Sequence, residues 1–185
     1  MADYRSLVSG AAADLQAAAG RVNPKEVANL VGVIAAAHRI ALYGVGREGL
    51  MMRALAMRLY HAGLDAHVVG DMSCPPVGVG DLLIVSAGPG DFSTVSGLVG
   101  VARGAGASTA CITAQPHAPV PKACDHVLTI PAQTMADDQA PASVLPMGSL
   151  FEGALFLVFE ILILQLRDHI GATPAAMRAR HTNLE

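Results

Sequence analysis

The stretch RIALYGVGREGL, residues 39–50, decides the fold of this chain. Its first five residues form a short apolar run, which is typical of a buried strand, and Gly44 ends that run. Apolar residues then recur at helical spacing from Arg47 to Ala62. A strand that passes through a glycine turn directly into a helix is the repeating unit of a doubly wound α/β fold.

The rest of the chain repeats this alternation. Further short apolar runs stand at residues 66–69, 82–86, 108–113 and 126–130, and segments long enough for helices lie between most of them. These runs are continuously apolar, as expected for strands that are buried on both faces of a parallel sheet. The sequence therefore predicts an α/β fold, with a doubly wound five-stranded parallel sheet flanked by helices in three layers.

We expect one domain over residues 1–185. The first 38 residues are predicted to be helical, with one break at Asn23, where Asn and Pro form a helix start signal. The organisation that follows is a sheet core over 39–130, a proline-containing loop over 131–146, and C-terminal helices with a polar tail over 147–185. Long loops in compact domains are often functional.

The composition excludes several classes of protein. The chain has 185 residues, of which 52% are hydrophobic and 15% charged, so it is not a disordered segment. A net charge of -3 gives no reason to expect nucleic acid. The three cysteines have no paired spacing, which argues against disulfides and thiolate metal sites and favours a reducing, cytoplasmic location.

The mean hydropathy of +0.45 is high for a protein without a membrane span. The best candidate span, residues 151–166, is too short and contains Glu152 and Glu160. Asp3, Tyr4 and Arg5 precede an alanine-rich stretch that lacks the apolar core of a signal peptide. We therefore expect no membrane association, and we expect the apolar surface to be buried in a homo-oligomer, with a tetramer favoured and a dimer as the alternative.

Two glycine-containing loops follow predicted strands. Residues 44–49 match the G-x-G-x-x-G dinucleotide fingerprint, and Asp71 lies 22 residues after Gly49, where an acidic residue could bind a ribose. The same pattern is also an ordinary strand-to-helix turn. The loop over 86–94 carries Gly and hydroxyl residues at a helix start, which suits an anion such as phosphate but is equally compatible with a plain tight turn.

A third candidate is Glu152, which ends the segment PMGSLFE over 146–152 and opens an apolar helix. A glutamate in the first turn of a helix is commonly there because the helix dipole stabilises its charge. The functional alternative is a general base at the rim of a pocket. Glu160, in the middle of the same helix, is interpreted as a paired or interface residue.

Taken together, these segments resemble the SIS (sugar isomerase) domain family. The matching stretches are GVGREGL at 44–50, AMRLYHAG at 56–63, VVGD at 68–71, GDLLIVSAG at 80–88, PMGSLFE at 146–152 and RHTNLE at 180–185. They occur in the order found in the family and cover most of the chain from residue 39 onward. The last two are the most specific, and they disfavour the dinucleotide interpretation, because the SIS fold has its own glycine turn after the first strand.

The resemblance implies an enzyme that moves a carbonyl group along a sugar or sugar phosphate through an enediol, without a metal or a cofactor. Glu152 would be the base, and His181, reaching in from a neighbouring subunit, would act on a hydroxyl or carbonyl oxygen. Arg47, beside Gly46, would add positive charge. The phosphate would be held on the loop that follows the third strand, by residues among Ser86, Gly88, Ser93 and Thr94.

The chain departs from the family pattern at the phosphate end. The family's first loop has serines where this chain has Val45 and Glu48. In the loop after the third strand, Gly88 replaces a serine of the family pattern, a proline is inserted, Phe92 stands where the family has a threonine, and Asp91 adds a negative charge. We predict that Glu48 either pairs with Arg47 or Arg53, or accepts hydrogen bonds from sugar hydroxyls. The substrate would then be a different phosphosugar, or a sugar without phosphate.

Two other functions are kept as alternatives. The first is a non-catalytic SIS module that only binds a sugar phosphate, and the presence of both Glu152 and His181 argues against it. The second is a nucleotide-binding enzyme that uses the GVGREG loop. Binding of a sugar phosphate, as opposed to a dinucleotide, would distinguish this second alternative from the others.

Overall fold

The computed structural model describes residues 3–137 and 143–184. Its centre is a five-stranded sheet in which every neighbouring pair is parallel, in the spatial order β2-β1-β3-β4-β5. The strands are β1 (Ile40–Gly44), β2 (Ala66–Val68), β3 (Leu82–Ser86), β4 (Ser108–Thr113) and β5 (His126–Thr129). The predicted fold class is confirmed, and each of the five predicted strands is present.

Seven helices surround the sheet in the described part of the chain. They are α1 (Tyr4–Gly20), α2 (Pro24–Ala36), α3 (Gly46–Ala62), α4 (Ser93–Gly104), α5 (Pro119–Ala123), α6 (Ser149–Ile170) and α7 (Pro174–Ala179). The predicted start of α2 is confirmed, because the side chain of Asn23 accepts a hydrogen bond from the amide of Lys25. The short helix α5 was not predicted; its five residues carry too little apolar periodicity to be recognised.

Apolar side chains fill both faces of the sheet, which explains why the strands lack alternation. One core, with Leu42, Ile84 and Ile112 from the strands, is covered by α1, α2, α3 and α6. The other, with Leu83 and Val85, is covered by α4 and α5.

The helix α6 explains the high mean hydropathy. By length and composition alone it is apolar enough to cross a membrane, with a mean hydropathy of 1.9 over the relevant window. Half of that window is buried in the fold, where α6 packs against α1, α2 and α3. Such burial is what the central helix of a compact core requires.

The helices α3 and α6 lie side by side and run in the same direction. Two ion pairs join them, Arg47 with Glu152 near their starts and Arg58 with Glu160 further along, with 3.0 Å between Arg58 Nε and Glu160 Oε1. The interpretation of Glu160 as a paired residue is confirmed. Because both helices begin at the same edge of the sheet, their N-termini converge there.

Candidate active site

The carboxyl ends of β1 and β3 form the floor of the candidate site. In the order β2-β1-β3-β4-β5, the chain leaves β1 for one side of the sheet and then returns to the other side as β3. Open α/β sheets bind ligands at such a switch point. Gly44 at the end of β1 stands directly opposite Ser86 at the end of β3, so the two loops predicted to bind ligand are neighbours.

A pocket of about 290 Å³ opens above these strand ends. Its walls come from the first turns of α3 and α6, from Phe92, and from segments on both sides of the residues that the structure leaves undescribed. The lining residues are Val45, Gly46, Arg47, Glu48, Phe92, Thr134, Met135, Pro146, Met147, Gly148, Ser149, Phe151 and Glu152. Its size is at the lower end of the range of about 300–1,000 Å³ that is usual for small-molecule sites.

Glu152 faces this pocket and is held by Arg47. The Arg47 Nε donates a hydrogen bond to Glu152 Oε2. The side chain of Glu152 is 16% exposed, whereas that of Arg47 is 69% exposed. The ion pair therefore orients the largely buried carboxylate of Glu152 on the pocket wall, and the guanidinium of Arg47 lies on the solvent side of the pair.

Glu48 is the second carboxylate of the pocket, and it is buried, at 7% exposure. Its Oε2 atom accepts a 2.5 Å hydrogen bond from Ser86 Oγ and a 3.0 Å hydrogen bond from the amide of Gly88. Burial raises the pKa of Glu48 above its ordinary value, the two hydrogen bonds oppose that shift, and the charge of Glu152 adds to it.

Of the two alternatives predicted for Glu48, pairing with an arginine is wrong. Arg47 pairs with Glu152, and Arg53 donates a 3.1 Å hydrogen bond to Asp71 on another part of the surface. Glu48 instead points from the first turn of α3 toward the end of β3, where Ser86 and Gly88 provide the donors.

Close packing requires a glycine at one position in each loop, Gly49 in the first and Gly88 in the second. A Cβ at Gly49 would lie 2.5 Å from the carbonyl oxygen of Gly44, so the fingerprint-like pattern is explained by contact between β1 and α3. A Cβ at Gly88 would lie 2.7 Å from Glu48 Oε1 and 2.8 Å from Phe151 Cε1. Gly88 is therefore the residue that makes room for the buried carboxylate.

The structure does not bring all predicted site residues into the pocket. Arg47, Glu48, Glu152 and Gly46 line it, while Ser86 and Gly88 contact Glu48 beneath it. Asp91, Ser93 and Thr94 are exposed, and none of the three is among the lining residues, whereas their neighbour Phe92 is.

His181 lies at the opposite end of α3 within the same chain. Its ring stacks on that of His61, with 5.3 Å between the ring centroids. His61 and Glu48 are 13 residues apart in one helix, which corresponds to about 20 Å. While α7 keeps this position, His181 cannot reach the pocket of its own chain. A His181 side chain that acts in this pocket must then belong to another copy of the chain.

Sequence reasoning missed several pocket residues. Thr134 and Met135 come from the predicted loop over 131–146, whose residues 138–142 lie outside the described residues, and Met147 follows directly after that loop. Met147 has a φ of 50°, a strained conformation for a residue with a side chain, and such strain clusters at functional sites. The length of the loop was the signal that pointed to Thr134 and Met135, and the motif PMGSLFE already contained Met147.

Comparison with known proteins assigns the family. The model of the SIS domain family matches residues 33–157, which contain the whole sheet. The chain belongs to the SIS domain family. The resemblance seen in the sequence is thereby confirmed.

Named relatives are similar over nearly the full length of this SIS domain. A 3-hexulose-6-phosphate isomerase of Mycobacterium gastri is 40% identical over 180 residues, covering 97% of this chain and 89% of that protein. A protein of the same name from Bacillus subtilis is 34% identical, covering 93% and 94%. A Methanococcus jannaschii structure, whose reported function was inferred as 3-hexulose-6-phosphate isomerase, superposes with a TM-score of 0.81 at 24% identity and covers 97% of both chains.

The described part of this SIS domain contains no cluster of side chains suited to a metal ion. Within residues 3–137 and 143–184, no three His, Cys, Asp or Glu side chains group closely enough to hold a metal ion. The chemistry that the described pocket can supply is that of two carboxylates, one guanidinium, and the N-termini of two helices.

Proposed function

We propose that this protein is a keto-sugar isomerase that works through an enediol, like the 6-phospho-3-hexuloisomerases. The observation that carries the proposal is the Glu152 carboxylate, held by Arg47 on the wall of a pocket at the switch point of the sheet. The 40% identity to a protein named 3-hexulose-6-phosphate isomerase, over 97% of the chain, supports the same assignment.

Glu152 is the base in this proposal. It removes a proton from the carbon that bears a hydroxyl next to the carbonyl carbon, and the electron pair forms an enediol. The same carboxyl then returns the proton to the former carbonyl carbon, while a hydroxyl proton moves between the two oxygens. One carbon is oxidised and its neighbour is reduced, so the reaction is an intramolecular oxidoreduction that requires no external electron acceptor.

Arg47 has two tasks in this scheme. Its hydrogen bond orients the Glu152 carboxylate, and its positive charge stabilises the negative charge that develops on a substrate oxygen on the way to the enediol. The N-termini of α3 and α6, whose first turns line the pocket, provide further positive potential there. We propose that His181 of a neighbouring subunit moves the proton between the two oxygens.

A homo-oligomer follows from this assignment of His181 and from the surface. Phe156, Leu157, Ile161 and Leu164 of α6 are each between 37% and 50% exposed in the single chain. Burial of such residues against another copy lowers the free energy of association. We propose a homo-oligomer, with a tetramer favoured, that acts in the cytoplasm.

The test is isomerisation in deuterated water. Purified protein is incubated with a panel of keto-sugars and keto-sugar phosphates, and products and deuterium incorporation are followed by NMR. We expect interconversion of two keto-sugars, with solvent deuterium at the carbon that receives the proton. Tight binding of a sugar phosphate without any interconversion or exchange would instead identify a non-catalytic binding module.

A further inference from the structure

The turn after β3 already holds an anion that belongs to the protein itself. Ser86 Oγ and the amide of Gly88 are the donors that this turn directs toward the first turn of α3, and both donate to Glu48 Oε2. Ser86 is fully buried and Glu48 nearly so, so both hydrogen bonds are shielded from water. Charge-assisted hydrogen bonds of this kind are among the stronger ones in proteins.

Packing keeps the Glu48 carboxylate in this position. The absent side chain of Gly88 leaves the space that Glu48 Oε1 and the ring of Phe151 occupy. If Glu48 turned away, Ser86 and Gly88 would lose the acceptor they now share, and a buried donor without an acceptor costs free energy. A second anion therefore cannot reach these donors without displacing the first.

The charges around the pocket also disfavour a phosphate. The charged residues among those that line it are Glu48, Glu152 and Arg47, and Arg47 is already bound to Glu152. The formal sum is one negative charge before any ligand enters. A phosphate dianion in this pocket would meet repulsion from the two carboxylates that a neutral hydroxyl group would not.

One carboxylate oxygen of Glu48, Oε1, is available to bind a ligand. Both of its hydrogen bonds fall on Oε2, and in the part of the chain that the structure describes no donor contacts Oε1. Glu48 lines the pocket, and among the described residues no side-chain oxygen that is shut off from solvent lacks a hydrogen-bond partner. Oε1 is therefore accessible and can accept a hydrogen bond from a ligand that brings its own donor. A sugar hydroxyl is such a donor, whereas a phosphate dianion is not.

We propose that Glu48 replaces the substrate phosphate on the Ser86–Gly88 turn, and that the substrate is a keto-sugar without a phosphate group, one of whose hydroxyls donates to Glu48. The proposal rests on the proposed isomerase function and narrows its substrate class. It separates this chain from its relatives named 3-hexulose-6-phosphate isomerase.

The test compares the dissociation constants of D-fructose and D-fructose 6-phosphate at one ionic strength, by calorimetry, for wild type and for Glu48→Ser. We expect the wild type to bind the phosphate ester no more tightly than the free sugar. Glu48→Ser frees two donors and removes one charge, so the ratio of the two constants should move toward the phosphate ester by about tenfold or more. Asp91→Ser, which removes an exposed carboxylate from the same loop, is the matched control and should leave the ratio unchanged.

A wild type that binds D-fructose 6-phosphate tenfold more tightly than D-fructose would overturn the proposal, as would an unchanged ratio in Glu48→Ser. If Glu48→Ser does not fold, Glu48→Gln keeps the side-chain volume and should shift the ratio in the same direction by a smaller factor. The ratio of the two dissociation constants can be measured whether or not the protein converts either sugar. Failure of the isomerase assignment would instead appear as absent deuterium exchange in the wild type, so the two failures are distinguishable.

Discussion

The hydroxyl of Ser86 donates a 2.5 Å hydrogen bond to the carboxylate of Glu48, across the gap between the end of β3 and the first turn of α3. Ser86 was predicted to bind the phosphate of a substrate, and its hydroxyl is already bound to a carboxylate of the protein itself. This contact depends on the order of the strands, because β1, which leads into α3, lies next to β3 in the sheet although β2 stands between them in the sequence. The order of the strands thereby affects which substrate the pocket can bind.

Glu152→Gln should lower turnover by about 10²–10⁴, the usual contribution of general acid–base catalysis. The amide keeps the shape of the side chain but cannot take the substrate proton. The measurements are the steady-state rate and the rate of deuterium exchange at the substrate carbon, with far-ultraviolet circular dichroism as a check of folding.

The matched control for that variant is Glu160→Gln. Glu160 lies on the same helix and also pairs with an arginine of α3, but it is not among the residues that line the pocket. We expect its turnover to remain within a few-fold of the wild type. If Glu152→Gln exchanges deuterium as fast as the wild type, another residue is the base.

His181→Ala should abolish most of the activity through an effect between subunits. Within one chain His181 stacks on His61, about 20 Å along α3 from Glu48, so its action on the pocket requires a second copy. Mixed oligomers of His181→Ala with Glu152→Gln should then regain a measurable share of turnover, because some sites receive both intact residues.

The control for this experiment is His169→Ala, an exposed histidine at the end of α6, which should retain wild-type activity. Mixed oligomers are verified by mass spectrometry before the assay. A complete lack of rescue in verified mixed oligomers would place the whole site within one chain.

The stability of the protein should depend on pH through Glu48. Burial raises the pKa of Glu48 in the folded state above its ordinary value of 4.5, and the charge of Glu152 contributes in the same direction. The folded state then binds the proton more tightly than the unfolded state, so stability falls as pH rises from below 4.5 through the raised folded value.

Glu48→Gln removes this titration. The Tm of the variant minus that of the wild type should therefore increase between about pH 4 and the raised pKa, and become constant above it. Groups that titrate alike in the two proteins cancel in the comparison. A difference that stays constant from about pH 4 to about pH 8, or that shrinks, would contradict the prediction.

Gly88→Ala should destabilise the protein by about 1–3 kcal/mol, the usual cost of overpacking a dense interior. The added methyl would meet Glu48 Oε1 at 2.7 Å and Phe151 Cε1 at 2.8 Å. The Glu48 carboxylate and the Phe151 ring would have to shift to make room. The free energy of unfolding is measured by urea denaturation.

Gly97→Ala serves as the comparison for that substitution. Gly97 lies in α4, and a Cβ there would have no neighbour within 4 Å. Alanine in an unobstructed helix position should raise stability by about 0.5–1 kcal/mol. A Gly88→Ala protein that is as stable as Gly97→Ala would show that the pocket floor is not tightly packed.

The sequence by itself determined the α/β class and the positions of the strands. Short apolar runs alternate with helix-length segments, and glycines such as Gly44 and Gly49 stand where β1 turns closely into α3. These features are local, because periodicity and turn chemistry act over a few residues. The motifs from Gly44 to the C-terminal tail, of which those around Glu152 and His181 are the most specific, together indicated the SIS family, which the family match confirmed.

Only the tertiary structure decided which charged side chains contact which partners. Glu48 and Ser86 are 38 residues apart, and Arg47 and Glu152 are 105 apart, so no local pattern reveals their contacts. Their pairing depends on the order of strands in the sheet and on the parallel packing of α3 with α6. Sequence reasoning offered an arginine as one of two partners for Glu48, because opposite charges attract. In the fold Arg47 pairs with Glu152, and Glu48 accepts hydrogen bonds from the hydroxyl and the amide at the end of β3.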